Sequence, residues 1–165
     1  MKELFALGAE VGALLKARKQ TIGVAESSAG GLINAALVAV PGASAFYLGG
    51  GIIYTKVGRA ALMGIEAKDV KGMRSASEPY AKLLALRVRE KLGATWGLSE
   101  TGASGPTGNS YGDAPGHACI AVSGPAFDPH ETVITVETGS SDREANMREF
   151  ARRALALLES CLRQT

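Results

Sequence analysis

The sequence has little of what several large classes of protein require. Aromatic side chains make up 5% of its 165 residues, and 18 basic side chains nearly balance 16 acidic ones, so we expect no nucleic-acid partner. The two cysteines, Cys119 and Cys161, lie far apart and outside any CxxC motif, which favours buried reduced thiols over a disulfide. The two histidines, His117 and His130, lack the spacing of metal ligands, so we expect neither a metal nor another cofactor.

Long apolar runs are also missing. No run approaches the roughly 20 residues that a membrane span needs, so we expect no membrane partner. The N-terminal stretch is apolar enough to be compared with a signal peptide, but Glu3 and Glu10 interrupt it and favour an amphipathic helix. We therefore expect a cytoplasmic location.

The apolar periodicity predicts an alternation of helices and strands. Predicted helices cover residues 3–18, 32–40 and 57–63, one that starts at Ser77, and a last one opened by a capping box of Ser141 and Glu144. Predicted strands cover residues 21–25, 46–54, 95–100, 117–123 and 131–137, the last two joined by a turn-rich stretch at 124–129. We predict a single domain over residues 1–165, with an α/β fold of three layers (α/β/α) around a central mixed sheet that includes an antiparallel pair.

The first predicted strand runs directly into the glycine- and serine-rich turn 26–31. A hydroxyl of Ser27 or Ser28 would be exposed above the sheet there, and the glycines would let a substrate approach free backbone N–H groups at the start of the next helix. Such donors suit a phosphate group or the oxyanion of a tetrahedral intermediate. The alternative is that one of these serines only caps the helix.

A second loop with this composition, residues 101–109, also follows a predicted strand. It lacks the ending of a P-loop and the glycine spacing of a dinucleotide fingerprint, so a flexible surface loop is the alternative. Because ligand crevices of open α/β sheets lie at the carboxyl ends of strands, we expect both loops to form one site.

The segment between these loops is also a candidate. Three consecutive glycines at 49–51 suggest that a ligand or another backbone approaches that strand closely. The strand runs into residues 54–59, which offer the phenol of Tyr54 and the cations of Lys56 and Arg59. For either cation alone, plain solvation is the alternative.

Taken in order, these segments resemble the CinA C-terminal domain family of nicotinamide-nucleotide amidohydrolases. The resemblance lies in six motifs that run over nearly the whole chain: 26–31 (family E-S-C-T-G-G), 41–46 (P-G-S-S-A-x-F), 49–59 (G-G…Y-S-N-E-x-K), 77–78 (V-S-E), 101–106 (T-G-I-A-G-P) and 142–143 (G-D-R). The entry of the strand at 115–121 also resembles the family pattern. The nucleotide-related N-terminal domain of longer CinA proteins is expected to be missing.

The resemblance implies hydrolysis of the carboxamide of nicotinamide mononucleotide to nicotinate mononucleotide and ammonia, without a cofactor, by a homo-oligomer. It implies a nucleophilic Ser27 that forms an acyl-enzyme. The catalytic set it implies is completed by three further residues: Tyr54, Arg59 and Thr101. The substrate-binding set it implies has nine members: Ser28, Gly30, Gly31, Ser44, Lys56, Gly102, Ser104, Gly105 and Arg143.

One departure from the family pattern concerns the base. The family lysine falls on Arg59, and a guanidinium keeps its proton in proteins, so it does not act as a base. Lys56, in place of the family asparagine, lies close in sequence and is a substitute to consider. Glu100 and the pair Ser28-Ala29 also differ from the family near the same site. Two functions therefore stay open: an active amidohydrolase, or a catalytically impaired homologue that binds a small anionic or nucleotide ligand.

Overall fold

The computed structural model describes residues 1–125 and 131–164. The helices in this part of the chain are α1 (Lys2–Arg18), α2 (Leu32–Val38), the short α3 (Lys56–Gly58), α4 (Glu78–Leu92) and α5 (Arg143–Arg163). The strands are β1 (Ile22–Glu26), β2 (Tyr47–Ile52), β3 (Trp96–Ala103), β4 (His117–Ser123) and β5 (Glu131–Glu137). The predicted turn at 124–129 lies, apart from its first two residues, outside the described residues.

The strands form one mixed sheet in the order β2-β1-β3-β4-β5. Strand β1 pairs in parallel with β2 and β3, whereas β4 pairs antiparallel with β3 and β5. The predicted mixed sheet with an antiparallel pair is thereby confirmed. As a result, the carboxyl ends of β1, β2 and β3 meet at one edge of the sheet.

Helices cover both faces of the sheet, which confirms the three-layer α/β/α architecture. On one face α1, α2 and α5 pack around a core that includes Leu15, Trp96 and Phe150. On the other face α4 packs through Leu84 and Val88. Strands β1 and β4 are buried along their whole length because both of their faces are covered, and this explains why their sequences are largely apolar.

Local signals explain the limits of the long helices. Helix α4 begins after Ser77, whose hydroxyl accepts from the backbone N–H of Tyr80, and ends at Gly93 in the left-handed region (φ 63°). The predicted capping box at Ser141 is wrong by one residue. The N-cap is Asp142, whose carboxylate accepts from the N–H of Ala145 at 3.0 Å. A carboxylate is also the better cap because it complements the helix dipole.

The glycine run in β2 has a structural reason within the chain. A side chain at Gly50 would meet the Asn34 side-chain oxygen at 2.1 Å and the Val24 carbonyl oxygen at 2.4 Å. Helix α2 and strand β1 therefore make the close approach that Gly50 permits.

Cys119 and Cys161 are free and buried. In residues 1–125 and 131–164, no helix is long and apolar enough to cross a membrane.

Candidate functional site

Three segments that follow β1, β2 and β3 surround a cavity of about 300 Å³ at the carboxyl edge of the sheet. Its wall includes six of the candidate residues: Ser27, Tyr54, Lys56, Arg59, Thr101 and Gly102. We call it the central cavity. The structure thus brings all four residues of the predicted catalytic set to one place, although their roles stay predictions.

A second cavity of about 210 Å³ adjoins the central one and shares Tyr54 and Gly102 with it. We call it the Arg143 cavity, and its other candidate residues are Ser28, Ser104, Gly105 and Arg143. The Arg143 guanidinium donates to the Gly105 carbonyl oxygen at 2.6 Å and to the Tyr54 hydroxyl at 3.0 Å. These contacts join helix α5 to the 101–109 loop and to the 54–59 segment.

The turn after β1 is held by a buried carboxylate. Glu100, on β3, is fully buried and accepts from the backbone N–H groups of Ser27 at 3.0 Å and Ala29 at 2.8 Å. Its other oxygen accepts from the hydroxyl of Ser28. Burial and, to a smaller extent, the charge of the nearby Glu26 raise the pKa of Glu100 to about 7, against the opposing effect of these hydrogen bonds.

A second fully buried carboxylate, Glu26, lies at the end of β1. It accepts from the backbone N–H groups of Ile33 at 3.2 Å and Asn34 at 2.9 Å, and from the side-chain amide of Asn34. Burial raises the pKa of Glu26, while the hydrogen bonds from Asn34 and Ile33 oppose the rise.

The expectation of free backbone donors in the turn is therefore wrong for Gly30 and Gly31. The Gly30 N–H donates to the Ser27 carbonyl oxygen at 3.1 Å, and the Gly31 N–H donates to Glu26. Neither glycine lines the central or the Arg143 cavity. Both have positive φ, 69° and 99°, so glycine is needed there for the shape of the turn.

The cations of the 54–59 segment differ in their surroundings. Arg59 is only 7% exposed and donates from Nε to the Ile65 carbonyl oxygen at 3.3 Å. Its charge also opposes the rise that burial causes in the pKa of Tyr80. Lys56, in contrast, is exposed at the mouth of the central cavity.

Comparison with known proteins identifies the family. The family model of the CinA C-terminal domain matches residues 5–162. A CinA-like protein of Desulfosudis oleivorans is 38% identical over 153 residues, which are 93% of this chain and 36% of that protein. The chain belongs to the CinA C-terminal domain family.

A second CinA-like protein, from Gloeothece citriformis, is 40% identical over 115 residues, 70% of this chain and 28% of that protein. The chain thus spans about a third of the length of the curated relatives it matches.

Solved structures of the CinA superfamily have the same fold. One from Klebsiella pneumoniae has a TM-score of 0.89 at 24% identity and covers 98% of this chain and 99% of that chain. The competence damage-inducible protein A of Klebsiella pneumoniae subsp. pneumoniae has a TM-score of 0.87 at 26% identity, with 96% of each chain covered.

Ser44, another candidate from the CinA pattern, lies away from the site. Ser44 lies in an exposed 3₁₀ turn (Ala43–Ala45) before β2. Because β2 runs parallel to β1, this turn lies at the amino ends of the strands, opposite the carboxyl edge that carries Ser27. Within this chain, Ser44 is not part of either cavity.

Sequence reasoning missed a network below the 101–116 loop. His117 contacts Glu137 through Nδ1 at 2.5 Å and the Ala76 carbonyl oxygen through Nε2 at 2.9 Å. Ala76 in turn donates its N–H to the Thr101 hydroxyl at 3.3 Å, so the network reaches the wall of the central cavity. Burial lowers the pKa of His117, but its hydrogen bonds to Glu137 and Ala76 outweigh this and leave the pKa above its usual value.

The same network anchors the loop through Asp113. Its carboxylate pairs with both terminal nitrogens of Arg74 and accepts from the Asn109 side chain at 2.7 Å. The hydrogen bond from Arg74 holds the pKa of Asp113 below its usual range. No short motif marks the pair of Arg74 and Asp113, because these two residues are 39 positions apart in the chain. Among the described residues, no cluster of three or more His, Cys, Asp or Glu side chains could hold a metal ion.

Proposed function

We propose that this chain hydrolyses the carboxamide of nicotinamide mononucleotide, or of a related pyridine nucleotide, to the acid and ammonia. The observation that carries the proposal is the position of two serines at the end of β1. Ser27 lines the central cavity and Ser28 lines the Arg143 cavity, and cationic side chains flank both. Membership of the CinA family and the presence of its serine turn support this reaction class.

The reaction would proceed through an acyl-enzyme. A serine oxygen attacks the carboxamide carbon, the C–N bond breaks, and the nitrogen leaves as ammonia after it has taken up a proton. Water then attacks the ester, releases the carboxylic acid and restores the serine. The family pattern points to Ser27 as the attacking residue.

The Arg143 cavity is the part of the site best suited to the phosphate and ribose. Arg143 is fixed by its contacts with Gly105 and Tyr54, so its guanidinium is already oriented before a ligand binds. Pre-oriented guanidinium groups bind phosphate oxygens with little additional loss of side-chain entropy.

The second candidate function is binding of a small anionic or nucleotide ligand without turnover. The observation that favours it is Arg59, which occupies the family position of the lysine as a buried cation in the wall of the central cavity. The amides of Ser27 and Ala29, which would otherwise suit an oxyanion, already donate to Glu100.

Two measurements on the same samples separate these functions. Ammonia release from nicotinamide mononucleotide reports turnover, and the shift in melting temperature with the same ligand reports binding. The proposal predicts turnover that is lost in a variant with both Ser27→Ala and Ser28→Ala. Ser160→Ala, an exposed serine on α5, is the matched control. Thermal stabilisation without ammonia release would support the binding function and overturn the amidohydrolase.

A further inference from the structure

The two serines of the turn differ in their hydrogen bonds. Within residues 1–125 and 131–164, the Ser27 hydroxyl has no hydrogen-bond partner. The Ser28 hydroxyl, by contrast, donates to Glu100. A nucleophilic hydroxyl is recognised by a base within hydrogen-bond reach that is itself held in place by a third group. Of the two serines, only Ser28 has such a base among the described residues.

The carboxylate that accepts from Ser28 is oriented by two backbone donors. Backbone N–H groups of Ser27 and Ala29 both donate to Oε2, which leaves Oε1 directed to the Ser28 hydroxyl. Because these donors belong to the turn that carries the serine, serine and carboxylate are held in one geometry. Glu100 is fully buried, so solvent does not compete with the Ser28 hydroxyl for its carboxylate.

We infer that Ser28 is the attacking hydroxyl in this chain and that Glu100 is its proton acceptor. The inference rests on the proposed amidohydrolase function and assigns the base, a role that Arg59 cannot fill. Ser28 is 5% exposed and lines the Arg143 cavity. With Ser28 as the nucleophile, the arrangement is therefore the reverse of the one for Ser27: the carboxamide enters the Arg143 cavity, and the phosphate and ribose lie in the central cavity beside Lys56 and Arg59.

Each proton in this scheme has a defined acceptor. The Ser28 Oγ–H proton moves to Glu100 as Oγ forms a bond with the carboxamide carbon. The tetrahedral intermediate collapses, the C–N bond breaks, and the proton passes from Glu100 to the leaving nitrogen to give ammonia. Water then attacks the ester, gives its proton to Glu100, and the acid leaves while Ser28 regains a proton.

The buried position of Glu100 suits this role. A general base works best when its pKa lies near the working pH, and burial raises the pKa of Glu100 to about 7. Glu26, on the neighbouring strand, is the charged group that acts on it in the same direction. The base should therefore be available above about pH 7 and lost below it.

Covalent labelling tests the pair without depending on turnover. Phenylmethanesulfonyl fluoride reacts with activated serines: Oγ attacks sulfur, fluoride leaves, and the proton goes to the base. We expect the adduct on Ser28, located by mass spectrometry of peptides, with a labelling rate that rises with pH and is half-maximal near pH 7. Glu100→Gln should slow labelling by a factor of about 10² or more, the usual contribution of a general base.

The controls use neighbouring groups of the same type. Ser27→Ala should still be labelled at Ser28, and Glu26→Gln, which places the same amide at the other buried carboxylate, should leave the labelling rate within about threefold. Glu100→Asp keeps the charge but shortens the side chain and should also slow labelling, which guards against a Glu100→Gln variant that does not fold. An adduct on Ser27, no adduct on either serine, or Ser28 labelling insensitive to Glu100→Gln would overturn the inference.

Ammonia release then separates this inference from the proposed function. Turnover that survives Ser28→Ala but not Ser27→Ala would refute the Ser28–Glu100 pair and leave the amidohydrolase intact. Labelling of Ser28 that depends on Glu100, in a protein that releases no ammonia, would support the pair and refute the proposed substrate.

Discussion

Glu26 and Glu100 invite comparison because they are the same residue type on neighbouring strands and both are fully buried. Each accepts hydrogen bonds from the segment that follows β1, and burial raises the pKa of each. Their partners differ: Glu26 binds the start of helix α2, whereas Glu100 binds the turn that carries the serines. The difference teaches that a buried carboxylate is a structural anchor or a candidate base according to whether a hydroxyl at a cavity contacts it.

The largest expected difference between the two carboxylates is in catalysis. Glu100→Gln should lower kcat for ammonia release by about 10² to 10⁴, because general-base assistance is lost, while KM changes little. Glu26→Gln should leave kcat within about threefold. Equal losses in the two variants would mean that both carboxylates are only structural.

The next largest effect is on stability, and here the Glu26 variant is the one expected to show the loss. Glu26→Ala should lower the free energy of unfolding by about 3 kcal/mol, because it removes the acceptor of two backbone N–H groups and the Asn34 amide. Urea denaturation at pH 7.5 measures this loss. A loss below about 1 kcal/mol would contradict the assignment of Glu26 as the anchor of α2.

A third prediction concerns the pH dependence of stability. The folded-state pKa of Glu100, about 7, exceeds its ordinary value of 4.5, so the folded state binds more protons than the unfolded state between these values. Stability contributed by the protonated form is therefore present below about pH 4.5 and is lost as the pH rises through about 7. The wild type should lose up to about 3 kcal/mol over this range relative to Glu100→Gln. Urea denaturation of both proteins at several pH values tests this, and a difference that does not change with pH would contradict it.

The smallest expected effect concerns Arg59, which occupies the position of the family lysine, and its neighbour Lys56. If Glu100 accepts the proton, Arg59→Lys and Lys56→Met should each change kcat by less than about threefold, since neither side chain takes part in proton transfer. Ammonia release at pH 8 measures both. An increase of about 10² or more in Arg59→Lys would show that a lysine base can be restored at this position and that Glu100 is not the base.

Much of the fold could be predicted because local signals agree with the tertiary structure. Helix α1, of 17 residues, is predicted closely by its apolar periodicity, and helix α4 by its capping serine. Strands β1 and β4 are predicted closely by their largely apolar sequences. The last helix was predicted with the wrong cap, since Ser141 and Asp142 both suit that position in sequence and only the backbone geometry selects Asp142.

The candidate site was predicted only in part, because strand order brings distant residues together. The family motifs placed Ser27, Tyr54 and Thr101 at the carboxyl edge, and the structure gathers them around one cavity. They also assigned Ser44 to the substrate-binding set, but its turn precedes β2 and therefore lies at the opposite edge. The partners of Asp113 and His117 could not be predicted, since Arg74, Glu137 and Ala76 lie 39, 20 and 41 positions away from the residues they contact.

The sequence by itself determined the family, the three-layer architecture and the edge of the sheet where the site lies, because periodicity, caps and ordered motifs are local properties. The tertiary structure alone decided that Glu100 accepts hydrogen bonds from the backbone N–H groups of Ser27 and Ala29 in the serine turn. Those residues are more than 70 positions apart and meet only because β1 and β3 pair in parallel. The same pairing gives the Ser28 hydroxyl a carboxylate partner, which the family motif, with its match to Ser27, does not predict.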